Sequence, residues 1–252
     1  MSETALRWGL SSHVGRVRQV NQDAAMANGL LFAVADGMGG HRGGEVASDI
    51  AAGHFRIQEE VATVDELAEA VVEANTLIRA RAATDPTLSG MGTTLVALAR
   101  IPSEDDALTL AAVNVGDSRM YRLQDGEFEQ LTQDHSLVGE LTRAGQLSAK
   151  EAARHPQRNV VTRALGVDDK VDVDKWTFDG VVGQRYLLCS DGLIDEVSDE
   201  EIGAVLRNVT EPGDAAAKLV DMANWSGGRD NTTVLVVDVV DGSECDPAET
   251  ES

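Results

Sequence analysis

The stretch Leu30-Leu31-Phe32-Ala33-Val34-Ala35-Asp36-Gly37-Met38-Gly39-Gly40 decides how the rest of the chain is read. Its first six residues are apolar, with the length and Val/Phe content of a buried strand. They run straight into Asp36, and three of the next four residues are glycine. A carboxylate at the end of a buried strand sits at the rim of the core, on a rigid element and still within reach of solvent. The glycines let the backbone turn and come close to whatever that carboxylate binds. One Asp-Gly after a strand is an ordinary turn, so the reading depends on recurrence.

The pattern recurs. Val115-Gly116-Asp117-Ser118 follows an apolar run, Leu187-Leu188-Cys189-Ser190-Asp191-Gly192 repeats it closely, and Asp230-Asn231 precedes the apolar run 232–240. Four aspartates, Asp36, Asp117, Asp191 and Asp230, thus stand where apolar strands begin or end. Gathered at one end of a sheet structure, they repel one another unless cations neutralise them. Carboxylate oxygens without a His/Cys cluster suit Mg²⁺ or Mn²⁺ better than zinc. Two such ions activate a water and clamp an oxyanion during in-line displacement, help that phosphate monoesters need because their uncatalysed hydrolysis is so slow.

Around these runs the chain alternates between strand and helix signals. Residues 5–11 read as an edge strand, and Asn28-Gly29 is a hairpin signal that pairs a strand starting at Asp23 antiparallel with the one ending at Asp36. Apolar residues at helical spacing predict helices over 44–60, 64–83, 198–208 and 213–224. Residues 92–131 read as an antiparallel meander, and the strands resume at 171–178 and 184–189. The polar stretch between, from Thr132 to about Val171, reads as an insertion over one end of the sheets. One domain is expected over 1–240, followed by an acidic, disordered tail over 241–252.

Composition narrows the class of function. With 43 acidic against 21 basic residues the net charge is −22, which argues against nucleic-acid or anionic-membrane binding. No apolar run approaches membrane-spanning length, and the N-terminus lacks the layout of a signal peptide, so a cytoplasmic location is expected. The two cysteines, Cys189 in an apolar run and Cys245 in the acidic tail, suggest neither a disulfide framework nor a zinc site. Cys189 lacks the Cys-x₅-Arg loop of the thiol phosphatases and is expected to pack in the sheet.

In number, order and spacing, Gly15-x-x-Arg18-x-x-Asn21-Gln22-Asp23, Ala35-Asp36-Gly37-Met38-Gly39-Gly40, Gly92-Thr93-Thr94, Val115-Gly116-Asp117-Ser118-Arg119, Ser190-Asp191-Gly192-Leu193 and Asp230-Asn231-Thr232 form one set. Over roughly residues 8–240 the chain resembles the metal-dependent protein phosphatases (the PPM family of type-2C serine/threonine phosphatases) in their compact bacterial form. The resemblance implies an α+β fold, an αββα sandwich of two antiparallel sheets with helices on both outer faces and a flap at about 132–178. It implies two Mn²⁺ or Mg²⁺ ions held by Asp36, the Gly37 carbonyl, Asp191 and Asp230, with Asp23 acting through water. A third, weaker ion falls to Asp117 with Asp191, and Arg18 matches the arginine that grips the substrate phosphate.

The sequence departs from that pattern at two positions. Gln22 stands where many relatives have Glu, and Met38 where eukaryotic relatives place a histidine proposed as general acid. Met38 transfers no proton, so His41 is the candidate for that role, against the plainer reading of a lone surface histidine. His135, beside Asp134, is a candidate flap contact, with the same plainer reading set against it and preferred. The implied activity is hydrolysis of phosphoserine and phosphothreonine on proteins, with a Ser/Thr kinase and its substrates as partners and a monomer as the default state. The competing readings are a pseudophosphatase that binds phosphoproteins without turnover and a phosphatase dedicated to an anti-sigma-factor antagonist.

Overall fold

The computed structural model describes residues 4–39, 43–58, 60–103, 107–152 and 154–244. In chain order its elements are β1 (Thr4–His13), β2 (Asp23–Ala27), β3 (Leu31–Met38), α1 (Gly43–Arg56), α2 (Val64–Thr84), β4 (Gly92–Thr93), β5 (Leu95–Ile101), β6 (Thr109–Val115), β7 (Arg119–Gln124) and β8 (Glu127–Gln130). After these come α3 (Leu137–Arg143), α4 (Ala149–Ala152), β9 (Asp174–Asp179), β10 (Arg185–Cys189), α5 (Asp191–Ile194), α6 (Asp199–Asn208), α7 (Pro212–Ser226) and β11 (Thr232–Asp241).

The strands form two antiparallel sheets. One has the order β1-β11-β10-β7-β8; the other runs β2-β3-β5-β6-β9, with the short β4 paired to β3. Alternation along each strand sorts its side chains into different layers. From β3, Phe32 and Val34 enter the core between the sheets, while Leu31, Ala33 and Ala35 face a second core shared with α1 and α2. From β11, Leu235, Val237 and Val239 face the inter-sheet core, while Val234 and Val236 face α5, α6 and α7. Strands buried on both faces need apolar residues at every position, which is why these segments read as unbroken apolar runs. Three stacked cores between four layers make the αββα sandwich that the resemblance implies.

The helices meet the sheets along single faces. Ala47, Ala51 and Phe55 of α1 recur every four residues and are buried, as are Ala215, Ala216, Leu219, Val220 and Ala223 of α7. Helix α6 opens with a capping box in which Ser198 and Glu201 each satisfy the other's backbone N–H.

Two expectations change. The meander over 92–131 is split, because β5 and β6 belong to one sheet and β7 and β8 to the other. The chain crosses between sheets at Gly116-Asp117-Ser118, a change that alternation of apolar residues within each strand does not signal. The strand expected at 171–178 forms as β9, paired with β6 from Thr109↔Asp179 to Asn114↔Asp174. The strand expected over 232–240 runs on to Asp241, followed by a 3₁₀ turn at Gly242–Glu244, so the expected tail has its structured start there; residues 245–252 lie outside the described residues.

Candidate metal centre

The β2–β3 hairpin sets Asp23 directly across from Asp36. Asp36 is held at both backbone ends by the Gly92-Thr93-Thr94 segment. Its N–H donates to Thr94 Oγ1 at 3.0 Å, and its carbonyl accepts from the Thr94 N–H at 2.9 Å and the Thr93 hydroxyl at 2.9 Å. Thr94 Oγ1 also lies 2.7 Å from Ser118 Oγ, which ties the Asp36 backbone to the loop carrying Asp117. In the sequence Thr93 and Thr94 carry no visible task, because polar side chains at strand ends signal nothing until their partners are placed.

From the other sheet, Ser190 donates to Asp23 Oδ2 at 2.7 Å and accepts the Thr233 N–H at 2.9 Å. Asn231, 4% exposed, ties the centre's outer loop together. Its Oδ1 accepts the Gln22 N–H at 2.8 Å, and its Nδ2 donates to the carbonyls of Val14 at 2.9 Å and Val20 at 3.0 Å. Two glycines are required by close approach. A Cβ on Gly37 would lie 2.2 Å from the Gly44 carbonyl oxygen, and one on Gly192 1.9 Å from that of Asn231. The second contact presses the turn carrying Asp191 against the residue after Asp230.

These supports bring Asp23, Asp36, Asp117 and Asp191 into one electrostatic cluster. Burial first, then the charges of Asp191, Asp23 and Asp117, push the Asp36 carboxyl well above the usual carboxylate range. Burial followed by the charges of Asp191 and Asp134 raises Asp117 to about 7. Asp191 rises to about 6, through burial and then the charge of Asp230. Asp23 reaches about 7, again through burial first, with its hydrogen bond from Ser190 opposing the rise.

Asp230 is placed at the same rim but is paired differently: its Oδ2 lies 2.6 Å from Arg18 Nη2. The structure therefore joins the expected phosphate-gripping residue to an expected metal ligand. Among the described residues, no three His, Cys, Asp or Glu side chains stand together as a ready-made metal cage. The donor set nonetheless fits divalent cations by its chemistry. It offers oxygen ligands alone, crowded enough to hold protons near neutral pH, and Asp23 Oδ1 is buried without a hydrogen-bond partner. His41 lies outside the described residues.

The remaining candidates have structural tasks. His135, 4% exposed, accepts the Gly116 N–H on Nδ1 at 3.0 Å, so its neutral ring carries the proton on Nε2, 3.2 Å from Asp174 Oδ2. Burial pushes its pKa below 6.5, in keeping with a neutral ring. Cys189 is fully buried on the face of β10 turned toward the helices, and burial pushes its thiol up to about 12, which rules it out as a nucleophile at neutral pH. A cleft of about 780 Å³ opens beside Asp117 and Asp191, walled on the insertion side by Asp134, Ser136, Arg143 and Arg158. The ion pairs Arg119–Asp134 at 2.7 Å and Arg158–Asp195 at 3.1 Å hold that wall in place.

An αββα sandwich with acids from both sheets converging at one edge, backed by threonines and a buried asparagine, defines a class of metal-dependent hydrolase folds. The sequence model of the protein phosphatase 2C family matches residues 11–230, and the chain belongs to that family. It is 42% identical over 240 residues to the serine/threonine protein phosphatase PstP of Mycobacterium tuberculosis, covering 94% of this chain and 45% of that protein. It thus spans about half the length of that relative. It is 39% identical over 237 residues to the serine/threonine phosphatase stp of Listeria monocytogenes, covering 89% of this chain and 92% of the other. The crystal structure of the M. tuberculosis phosphatase superposes with a TM-score of 0.86 at 40% identity, covering 94% of this chain and 99% of that one. The PstP catalytic domain in complex with two manganese ions superposes with a TM-score of 0.85 at 38% identity, covering 94% and 100%. Among the described residues, no helix is long and apolar enough to cross a membrane.

Proposed function

We propose that this chain hydrolyses phosphoserine and phosphothreonine on proteins, using water activated at a binuclear Mn²⁺ or Mg²⁺ centre. The observation that carries the reading is the cluster of Asp36, Asp191, Asp23 and Asp117, buried together and each raised toward neutral pH. Such an arrangement is costly unless cations take the place of protons. Family membership adds the class of substrate, and the manganese-bound relative adds the class of metal.

In this reading Asp36, the Gly37 carbonyl, Asp191 and Asp230 hold two ions, Asp117 with Asp191 serves a third, and Asp23 orients metal-shell water. When bound, the ions supply a nucleophilic water and neutralise charge on the phosphoryl oxygens. The chain's own residues do the positioning. Arg18 forks onto the phosphate once it leaves Asp230, Thr93 and Thr94 fix the Asp36 backbone, and Ser190 aligns Asp23. Met38 leaves the leaving-group proton to a metal-bound water or to His41. The flap at about 132–178 borders the cleft and governs access to it. The chain acts in the cytoplasm as a monomer, opposing a Ser/Thr kinase on shared phosphoprotein substrates.

The test is Mn²⁺-dependent release of phosphate from a phosphothreonine peptide by the native chain and by Asp191→Asn. Activity that requires Mn²⁺ and collapses in the variant supports the reading. A folded, Mn²⁺-binding native chain that releases nothing points instead to a phosphoprotein-binding role without turnover.

A further inference from the structure

The loop that carries Arg18 holds a second feature that the phosphate chemistry leaves unused. Trp225, in the last turn of α7, is 82% exposed, the most exposed large hydrophobic side chain among the described residues. The Arg16 guanidinium lies over its ring, 5.9 Å from the centroid. Among the described residues Arg16 makes no ion pair, so its charge is open to a carboxylate from outside the chain. Beside it Val17 is 66% exposed.

This surface is fixed rather than slack. The Arg16 N–H donates to the Gly228 carbonyl at 2.7 Å, and Asn231 Nδ2 holds the carbonyls of Val14 and Val20 at 2.9 and 3.0 Å. The platform therefore stands on the two loops that present Arg18 and Asp230. A rigid exposed tryptophan with an adjoining arginine is the composition of binding hot spots, because both give large contact area for little ordering cost. Arg16 and Arg18 are two residues apart on one loop, so at most about 7 Å of chain separates them, within the reach of neighbouring residues of a bound peptide.

We propose that Trp225, Arg16 and Val17 form a docking platform for the substrate segment next to the phosphorylated residue, selecting an apolar side chain with an acidic neighbour. The apolar group covers Trp225 and Val17, and the carboxylate meets Arg16, which makes no ion pair among the described residues. The inference rests on the phosphatase reading above. Continuity with the Arg18–Asp230 rim, and an Arg16 that makes no ion pair among the described residues, favour a substrate segment over other occupants.

The test uses two fluorescent peptides carrying a non-hydrolysable phosphonate analogue of phosphothreonine. One has Leu and Asp within three residues on both sides; its twin has Ala at those positions. Binding to the Mn²⁺-loaded native chain is followed by anisotropy, alongside turnover of p-nitrophenyl phosphate. The native chain is expected to bind the Leu/Asp peptide about fivefold or more tighter, a difference of the size single hot-spot side chains produce. Trp225→Ala should erase the preference and Arg16→Ala reduce it, with p-nitrophenyl phosphate turnover within about twofold of native for both, since neither side chain is placed at the metal cluster. Equal or undetectable binding of the two peptides, or a preference that survives Trp225→Ala, overturns the proposal. So does a native dimer, seen by sedimentation, that Trp225→Ala converts to monomer, because a second copy would then cover the platform. Absence of p-nitrophenyl phosphate turnover in the native chain counts against the phosphatase reading, while the peptide preference still decides the platform.

Discussion

Arg18 Nη2 stands 2.6 Å from Asp230 Oδ2, so the residue matched to phosphate capture occupies a carboxylate matched to metal binding. The two tasks compete in this state. Both side chains are substantially exposed, at 51% and 31%, and pairs of that kind are worth about 0–1 kcal/mol. Arg18→Ala should therefore strengthen Mn²⁺ binding by less than about fivefold in calorimetry. It should raise KM for a phosphothreonine peptide by about tenfold or more, since a charge-assisted hydrogen bond contributes about 1.5–3 kcal/mol. Weakened Mn²⁺ binding with an unchanged KM would show that Arg18 serves the metal site instead.

The acid cluster makes the stability of the metal-free chain depend on pH in an unusual direction. Asp23 and Asp117 are raised from 3.8 to about 7 and Asp191 to about 6, so over that interval the folded chain binds more protons than the unfolded one. Their contribution is fully present at the acid end and is lost as pH rises through the folded values. His135, lowered from 6.5, acts the other way but is a single group. Glu196 and Asp174, lowered from 4.5 and 3.8, lose their contributions only at more acidic pH. The melting temperature in EDTA should fall between about pH 5.5 and 7.5. Excess Mn²⁺ should raise it most at the upper end, where protons no longer neutralise the cluster. A metal-free melting temperature that climbs steadily across this range would falsify the assignment.

His135 links the loop of Asp117 to the insertion through Gly116, Asp174 and the Thr162 N–H, which its carbonyl accepts at 2.8 Å. Replacing it with Ala strands the buried Gly116 N–H, at about 1–3 kcal/mol. For a chain of this size that is a drop of several degrees in melting temperature. Activity should recover when the protein is assayed well below its new melting point, as befits a structural residue. A loss of kcat in fully folded protein would assign the ring a part in the chemistry.

Gly192 and Gly53 make a contrasting pair. Ala at 192 drives its Cβ into the Asn231 carbonyl, which moves Asp191 away from Asp230, whereas Ala at 53 in α1 meets nothing within 4 Å. Gly192→Ala should abolish activity and weaken Mn²⁺ binding. Gly53→Ala should raise stability by about 0.5–1 kcal/mol through helix propensity, with activity unchanged. Denaturant titration and phosphatase assays on both variants decide the matter.

Much of the scaffold was legible because two-sided burial writes itself into composition. The unbroken apolar runs marked β3, β5, β6, β10 and β11, and Asn28-Gly29 specified the hairpin whose register puts Asp23 opposite Asp36. The division of 92–131 between two sheets was not legible, since an inner strand looks the same whichever sheet it joins. The short helix α5 escaped because Asp191-Gly192-Leu193-Ile194 is too brief for a periodic signal.

The sequence by itself determined which acids stand at strand ends, that they offer oxygen donors alone, and the family to which the chain belongs. These are properties of local pattern and side-chain chemistry, fixed before any contact forms. Only the tertiary structure decided that Ser190 serves Asp23, that Thr94 joins Asp36 to the Asp117 loop, that Asn231 ties 14–22 to 230, and that Arg16 is left over Trp225. Each of these depends on which surfaces the packing of two sheets brings together. The partners stand up to 217 residues apart in the chain, where no short-range pattern connects them.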